Sequence, residues 1–312
     1  MEKPRIVFFG TPDFACAILN ALAEEKYNVV AVVSQPDKPV GRKHRIEPVP
    51  VHALADVLGI PVLQPVRLRD ETDAVLAYKP DLIVTCAYGQ FVPEAILKAP
   101  RLGAVNVHPS LLPRYRGGAP IQYALLNGDR ETGVCLMEMV KAMDAGDVFA
   151  RTVIPIDPDE TFAELNRKLM EESVRMIKEM LPLYIEGKLQ RQPQSEDGIV
   201  IAKNISKEQE KLSFDKEELP VLYNHARALI DVPCAYGVID NKRIRFFKVR
   251  MEEKQHNGNT GEVLGFKDHA MEIACIGGIL KVYELQPEGK KRMDADAFKN
   301  GAGRVLIGKR FE

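Results

Sequence analysis

The stretch RIVFFGTPDFACAILNALAEEKYNVVAVVS, residues 5–34, decides the fold. RIVFFG is an unbroken apolar run of strand length, and NVVAVVS is a second one. Between them, PDFACAILNALAEE puts Phe14, Ile18, Leu19 and Leu22 on one helical face. Strands without polar alternation are covered on both sides, and strands joined through helices run parallel. The pattern continues outward. VPVHALADVLGI reads as a helix stopped near Gly59, DLIVTCA as a third strand and AVNVH as a fourth. ETGVCLMEMV and DVFARTVIPI read as later strands. TFAELNRKLMEESVRMIKEMLPLYIEG reads as a long helix that Pro182 bends or ends. We therefore expect an α/β, Rossmann-like, mostly parallel sheet domain over residues 1–188.

The polar stretch at 189–206 reads as a linker, and the character changes beyond it. One helical pattern, LPVLYNHARALI, precedes the short strands CAYGVID, KRIRFFKV, GEVLGF, AMEIACI and ILKVYEL. Turn signals such as HNGNTG and IGG separate the strands. This spacing predicts a small OB-like β-barrel over residues 207–312.

Composition sets the bounds. A chain of 312 residues has room for two domains, and 46% hydrophobic with 28% charged residues is a globular balance. A formal net charge of −1 selects no class of partner. Five scattered cysteines without a CxxC pair fit a reducing, cytoplasmic setting. Six histidines without a Cys/His cluster predict no metal site. No apolar run is of bilayer length, and the early strand leaves no signal peptide, so we expect no membrane partner.

In open parallel sheets, ligands bind beyond the carboxyl ends of the strands. Gly10 stands there after the first strand, but the other two glycines of a dinucleotide fingerprint are missing. Gly10 then serves a tight turn, with Thr11 or Asp13 as a helix cap. This counts against a nucleotide-dependent oxidoreductase. The fourth strand ends differently. NVHP places Asn106 and His108 on one side of the strand and Val105 and Val107 on the other, and Pro109 ends the ladder. An isolated pair of this kind more often only bonds loop backbone. Here a loop rich in proline and glycine follows it, and MDAGD offers Asp144 in a short turn. An amide, an imidazole and a carboxylate suit acyl transfer from one nitrogen to another. Asn106 would donate to a developing oxyanion, His108 would donate a bond or a proton, and Asp144 would hold the imidazole and help deprotonate the amine. No Ser or Cys nucleophile belongs to the set, which favours direct transfer.

At these residues the chain resembles the methionyl-tRNA formyltransferases, a branch of the folate-dependent formyltransferases. The matching segments are GTPDF (10–14), QPDKPVGR (35–42), AYGQFVP (87–93), NVHPSLLPRYRGGAPIQ (106–122), ETGV (131–134) and MDAGD (143–147). SKEQEKLSF, HARALIDVPCAY and QPEGKKRM are weaker landmarks farther on. The resemblance implies formyl transfer from 10-formyltetrahydrofolate to the α-amino group of methionine on initiator tRNA. It assigns Asn106, His108 and Asp144 as the catalytic trio. It makes Ser110, Leu111, Leu112 and Pro113 the folate loop, with Phe91 and Val92 as further walls. It implies tRNA contacts from the basic loop of Arg42, Lys43 and Arg45. It also implies them from Lys242, Arg245, Lys248, Lys290 and Lys291 in the second domain. We expect a monomer. Where relatives carry a tryptophan-rich segment, this chain reads DVPC and has no Trp. Formyltransferases acting on an amino-sugar nucleotide or another small amine share the trio, so the acceptor rests on the basic loop and the extra domain. A non-catalytic RNA-binding module would leave the trio unused.

Overall fold

The computed structural model describes residues 3–40 and 45–312. The chain forms two units, the first made of residues 1–120, 132–154 and 166–203, the second of 121–131, 155–165 and 204–312.

In chain order the first unit carries β1 (Arg5–Gly10), α1 (Asp13–Glu24), β2 (Asn28–Val33), β3 (Lys38–Val40), β4 (Arg45–Glu47), α2 (Pro50–Leu58) and β5 (Val62–Leu63). It continues with α3 (Thr72–Leu76), β6 (Leu82–Cys86), α4 (Glu94–Lys98), β7 (Ala104–His108) and β8 (Arg116–Gly117). α5 (Pro120–Leu126) falls largely in the second unit, and the first resumes with β9 (Glu131–Glu138), β10 (Val148–Pro155), α6 (Phe162–Ile185), whose first turn belongs to the second unit, and β11 (Ile201–Ala202). The sheet order is β10-β9-β7-β6-β1-β2-β5. The pairs among β7, β6, β1, β2 and β5 are parallel, and β9 is antiparallel to β7. The expected mostly parallel α/β sheet is therefore present. Its order reverses beside β1, where a doubly wound sheet leaves a crevice.

The strands form because their runs are buried on both faces. Ile6, Val7, Phe8 and Phe9 of β1 and Leu82, Ile83 and Val84 of β6 are all inaccessible. Gly59 ends α2 in the left-handed conformation at φ 66°. Thr161 and Glu164 form a reciprocal capping box before α6, the Thr161 N–H donating to Glu164 Oε2 over 2.9 Å. Pro182 lies inside α6, which runs on to Ile185. Thr11 does not cap α1; the capping position is Pro12, which makes no side-chain bond. Several short elements escaped the pattern: the strands β5, β8 and β11, the antiparallel pair β3–β4, and the helices α3, α4 and α5. Part of the polar 189–206 stretch is also ordered against the first unit. Gln192 pairs with Val148, and β11 runs parallel to β8.

The second unit adds α7 (Leu219–Ala228), β12 (Tyr236–Ile239), β13 (Lys242–Glu252), β14 (Val263–Lys267), β15 (Ala270–Cys275), β16 (Gly278–Pro287), β17 (Met293–Asp294) and α8 (Ala295–Phe298). Its sheet is antiparallel, in the order β12-β13-β16-β15-β14, with β17 on β16. Phe214, Phe246 and Phe311 meet in its core beside Leu222, Tyr223 and Leu285. Residues 309–312 touch both edges of this sheet. The Lys309 carbonyl accepts from Val263 and the Phe311 N–H donates to Gly261 on one side; the Glu312 N–H donates to Val238 on the other.

Candidate active site

The site is built from β7. Val105 and Val107 are inaccessible, while the alternate positions Asn106 and His108 face the opposite side of the strand. Thr85 stands across from Asn106 in the β6–β7 register. Its hydroxyl donates to Asn106 Oδ1 at 2.8 Å. That satisfies the amide oxygen and leaves the Asn106 NH2 with no acceptor among the described residues.

His108 is held by the loop that follows it. Its Nε2 lies 2.9 Å from the Tyr115 carbonyl oxygen. A carbonyl only accepts, so Nε2 carries hydrogen and Nδ1 is the nitrogen left for proton exchange. The loop is rigid for local reasons. Ser110 is inaccessible and its hydroxyl donates to the Arg114 carbonyl at 2.8 Å. The Arg114 guanidinium lies over the Tyr115 ring and donates to its hydroxyl. Tyr115 sits at φ 62°, a left-handed backbone that aims its carbonyl at the imidazole.

The third group arrives from the segment between β9 and β10, which folds back over the face of β7 bearing Asn106 and His108. Asp144, at φ 48°, brings Oδ2 to 3.8 Å from His108 Nδ1. That is too long for a direct hydrogen bond and leaves the carboxylate facing the imidazole. The side chains are 5% and 18% exposed, so the pair is shielded from screening by bulk water. The same Oδ2 accepts from the Gly117 N–H at 2.9 Å. Gly117 is at φ 128°, and a Cβ there would lie 2.3 Å from the Ala202 carbonyl oxygen, so only glycine presents its N–H in this way.

Two side chains that could have served as nucleophiles are disqualified by their surroundings. Cys135 pairs with His108 in the β7–β9 register, but it is inaccessible among Leu112, Met137 and Val148, and burial pushes its thiol up. Ser110 has spent its hydroxyl on the loop. Burial also pushes Cys16 and Cys234 up to about 11 and Cys275 up to about 12, so none of these is a ready thiolate.

The other motif segments cross-link the rim. Thr11 and Gln35 both donate to the Tyr88 carbonyl, at 3.0 and 3.1 Å, and join the loops after β1, β2 and β6. Asp37 accepts from His52, Gln64 and the Val49 N–H. Burial alone would raise its carboxyl, but these hydrogen bonds outweigh it and hold the group below the usual range.

The six folate candidates divide by exposure. Ser110 and Leu112 are inaccessible, and Val92 packs against the core. Leu111 and Pro113 are half-buried, and Phe91 is 76% exposed. These last three keep apolar surface for a ligand. Of the basic candidates, Arg42 and Lys43 lie outside the described residues, and Arg45 is exposed on β4. On β13, Ile244, Phe246 and Val249 turn inward, and a bulge between Phe246 and Val249 resets the alternation. Lys242, Arg245 and Lys248 are exposed, as are Lys290 and Lys291. Aromatic rings stand among them: Arg243 over Tyr236, Lys248 over Tyr283 and Arg292 over Phe247. Lys242, Arg245, Lys290 and Lys291 have no carboxylate partner among the described residues. Among those residues there is also no group of three or more His, Cys, Asp or Glu side chains able to hold a metal ion, and no helix long and apolar enough to cross a membrane.

Thr85, Arg116, Gly117 and Gln194 all serve the site and were missed in the sequence. Thr85 is the one hydroxyl in DLIVTCA, Arg116 and Gly117 fall in the matched segment 106–122, and Gln194 carried no signal.

Comparison with known proteins gives a consistent picture. Residues 4–181 match the family described as formyl transferase, and residues 204–303 match the formyl transferase C-terminal domain. The chain is 42% identical over 309 residues to the methionyl-tRNA formyltransferase of Macrococcus caseolyticus, covering 98% of each chain. It is 43% identical over 300 residues to that of Bacillus cereus, covering 95% of each. Among solved structures, it resembles HypX from Aquifex aeolicus in complex with tetrahydrofolic acid (TM-score 0.69, 20% identity, 98% of this chain). This chain spans about half of HypX, 48% of its length. An N-formyltransferase from Helicobacter canadensis, in complex with folinic acid and dTDP-3-aminofucose, gives a TM-score of 0.68 at 16% identity, over 94% of this chain and 100% of that one. At these identities the structural likenesses establish the fold alone.

Proposed function

The chain belongs to the methionyl-tRNA formyltransferase family, and from that premise we propose that it transfers the formyl group of 10-formyltetrahydrofolate to the α-amino nitrogen of methionine on initiator tRNA. On this reading the chain acts as a monomer in the cytoplasm.

The chemistry follows from three side chains. The free amine attacks the formyl carbon, the carbonyl oxygen becomes negative, and N10 of the folate leaves. The attacking nitrogen gives up one proton and N10 gains one. Asn106, its oxygen taken by Thr85, offers its NH2 to the oxyanion. His108, its Nε2 fixed on the Tyr115 carbonyl, works through Nδ1, which donates to the oxyanion or to the leaving nitrogen. Asp144 balances the imidazolium charge and helps draw the proton from the amine. Attack is direct, with no acyl-enzyme. The single observation that carries this assignment is the 3.8 Å approach of Asp144 to the one histidine nitrogen left for proton exchange.

Phe91, Leu111 and Pro113 supply apolar walls for the flat pterin ring, and backbone groups of the neighbouring loops supply its polar contacts. Arg42, Lys43 and Arg45 meet acceptor-stem phosphates, and Lys242, Arg245, Lys248, Lys290 and Lys291 meet phosphates farther along the tRNA.

The test is incubation with 10-formyltetrahydrofolate and charged initiator tRNA, with mass analysis of the released aminoacyl group. Formylmethionine is the expected product. Asn106→Ala and His108→Ala should each fold and lose on the order of 10²-fold in turnover. Unchanged turnover in either variant refutes the site. A formylated sugar amine together with inert methionyl-tRNA refutes the acceptor.

A further inference from the structure

Gln194 lies in the stretch whose composition is that of a linker, yet its amide is fully engaged. Nε2 donates to the Asp144 carbonyl at 2.8 Å and to the Gly146 carbonyl at 2.7 Å. Oε1 accepts from Arg116 Nε at 3.0 Å and from Arg116 Nη2 at 2.8 Å. The residue after Arg116 is Gly117, whose N–H holds the Asp144 carboxylate. The contacts close a ring: the Arg116 side chain to Gln194, Gln194 to the Asp144 backbone, the Asp144 carboxylate to Gly117, and Gly117 back to Arg116. Two elements far apart in the chain, the loop after His108 and the turn bearing Asp144, are tied by one amide.

Only an amide of this length completes the ring. Two donors must face two carbonyls while two acceptor sites face one guanidinium, which a carboxylate cannot do. Asparagine is one carbon short. The ring also bears on strain. Asp144 holds a left-handed backbone at φ 48°, which an aspartate keeps only where its surroundings enforce it.

We propose that Gln194 is a positioning residue that acts through Asp144, fixing the turn so that the carboxylate stays 3.8 Å from His108 Nδ1. The inference rests on the assignment of His108 and Asp144 as the reacting pair.

Gln194→Glu tests it. The variant is isosteric and keeps the Arg116 pairing, but it turns a carboxylate toward two carbonyls. Gln194→Met keeps the length without either polar group and carries the test if the first variant does not fold. We expect a melting temperature near that of the parent and KM values for folate and tRNA within about threefold. We expect kcat lower by on the order of 10²-fold, the cost of displacing a reacting group by an ångström, with an altered pH profile of kcat. In a His108→Ala background the same change should cost almost nothing, because residues acting as a unit are not additive. A kcat within threefold of the parent overturns the proposal, as does a full additional loss in the His108→Ala background. If His108→Ala itself turns over normally, the reacting pair is wrong and the proposal falls with it. If that variant is inactive while the Gln194 variants are fully active, only the role of Gln194 is lost.

Discussion

Gly146→Ala puts the placement of the Asp144 turn to a quantitative test. Gly146 is not in left-handed backbone, and what alanine meets there is a steric clash. The new Cβ would lie 2.1 Å from the Glu138 carbonyl oxygen and 2.9 Å from its carbon. A carbon meets a carbonyl oxygen comfortably at about 3.3 Å, so roughly 1.2 Å of relief is needed. Glu138 cannot supply it. It ends β9, pairs with Val105 across the sheet, and its N–H donates to the Asp147 carbonyl at 2.8 Å. The turn must move instead, taking the Asp144 carboxylate from the imidazole and the Gly146 carbonyl from Gln194. A shift of about 1 Å at a reacting group costs on the order of 10²-fold in rate, near 2.7 kcal/mol of barrier. Crowding a packed site should also cost about 1–3 kcal/mol of stability. Single-turnover formylation at saturating folate measures the first quantity and denaturant unfolding the second. A folded Gly146→Ala protein with a chemical step within threefold of the parent would show that the carboxylate position is immaterial.

Two further outcomes are expected. His225 donates from Nε2 to the Gln209 carbonyl, over 2.6 Å, and faces Glu217 through Nδ1. Burial alone would lower its pKa, but these bonds outweigh burial and raise it above the ordinary 6.5. The folded state therefore favours the protonated ring. This stabilisation is complete below the unfolded value and is lost as pH rises through the higher folded value. Melting temperatures measured from pH 6 to 9 should fall more steeply for the parent than for His225→Gln, and parallel curves would contradict this. Separately, the Lys242→Ala, Arg245→Ala, Lys290→Ala and Lys291→Ala variants should raise KM for tRNA and leave KM for folate unchanged. Each lost phosphate contact should flatten the log–log salt dependence by about 0.7–0.9; an unchanged slope would remove that residue from the tRNA surface.

Much of the fold was legible because burial on both faces leaves a plain mark. RIVFFG, NVVAVVS, DLIVTCA and AVNVH are short, rich in β-branched residues and separated by helical patterns, and each is a strand of the parallel sheet. The pair β3–β4 was not legible. It is short, and Ile46 on it is 73% exposed, so it shows neither burial nor alternation. The placement of Asn106 and His108 on one side of a strand followed from the two-residue period and stands in the structure. The clamp around Asp144 could not be read. Gln194 is one polar residue in a polar run, and its importance comes from partners about fifty and about eighty positions away. Likewise, no pattern announced that Ser110 and Leu112 would face inward while Leu111 and Pro113 keep accessible surface. That follows from how the loop closes on itself through Arg114 and Tyr115.

The strand-like run at 309–312 has a consequence for how the protein is made. Because these residues bond Gly261 and Val263 on one margin and Val238 on the other, they act as a drawstring for the second sheet. That sheet cannot be finished until they have been synthesised. The parallel sheet and the helices that cover it lie earlier in the chain and can set while the ribosome is still working. During that interval the ring of Phe214 and Phe246 waits for Phe311, so a nascent chain stalled just short of this point would offer an uncovered aromatic surface to chaperones and proteases.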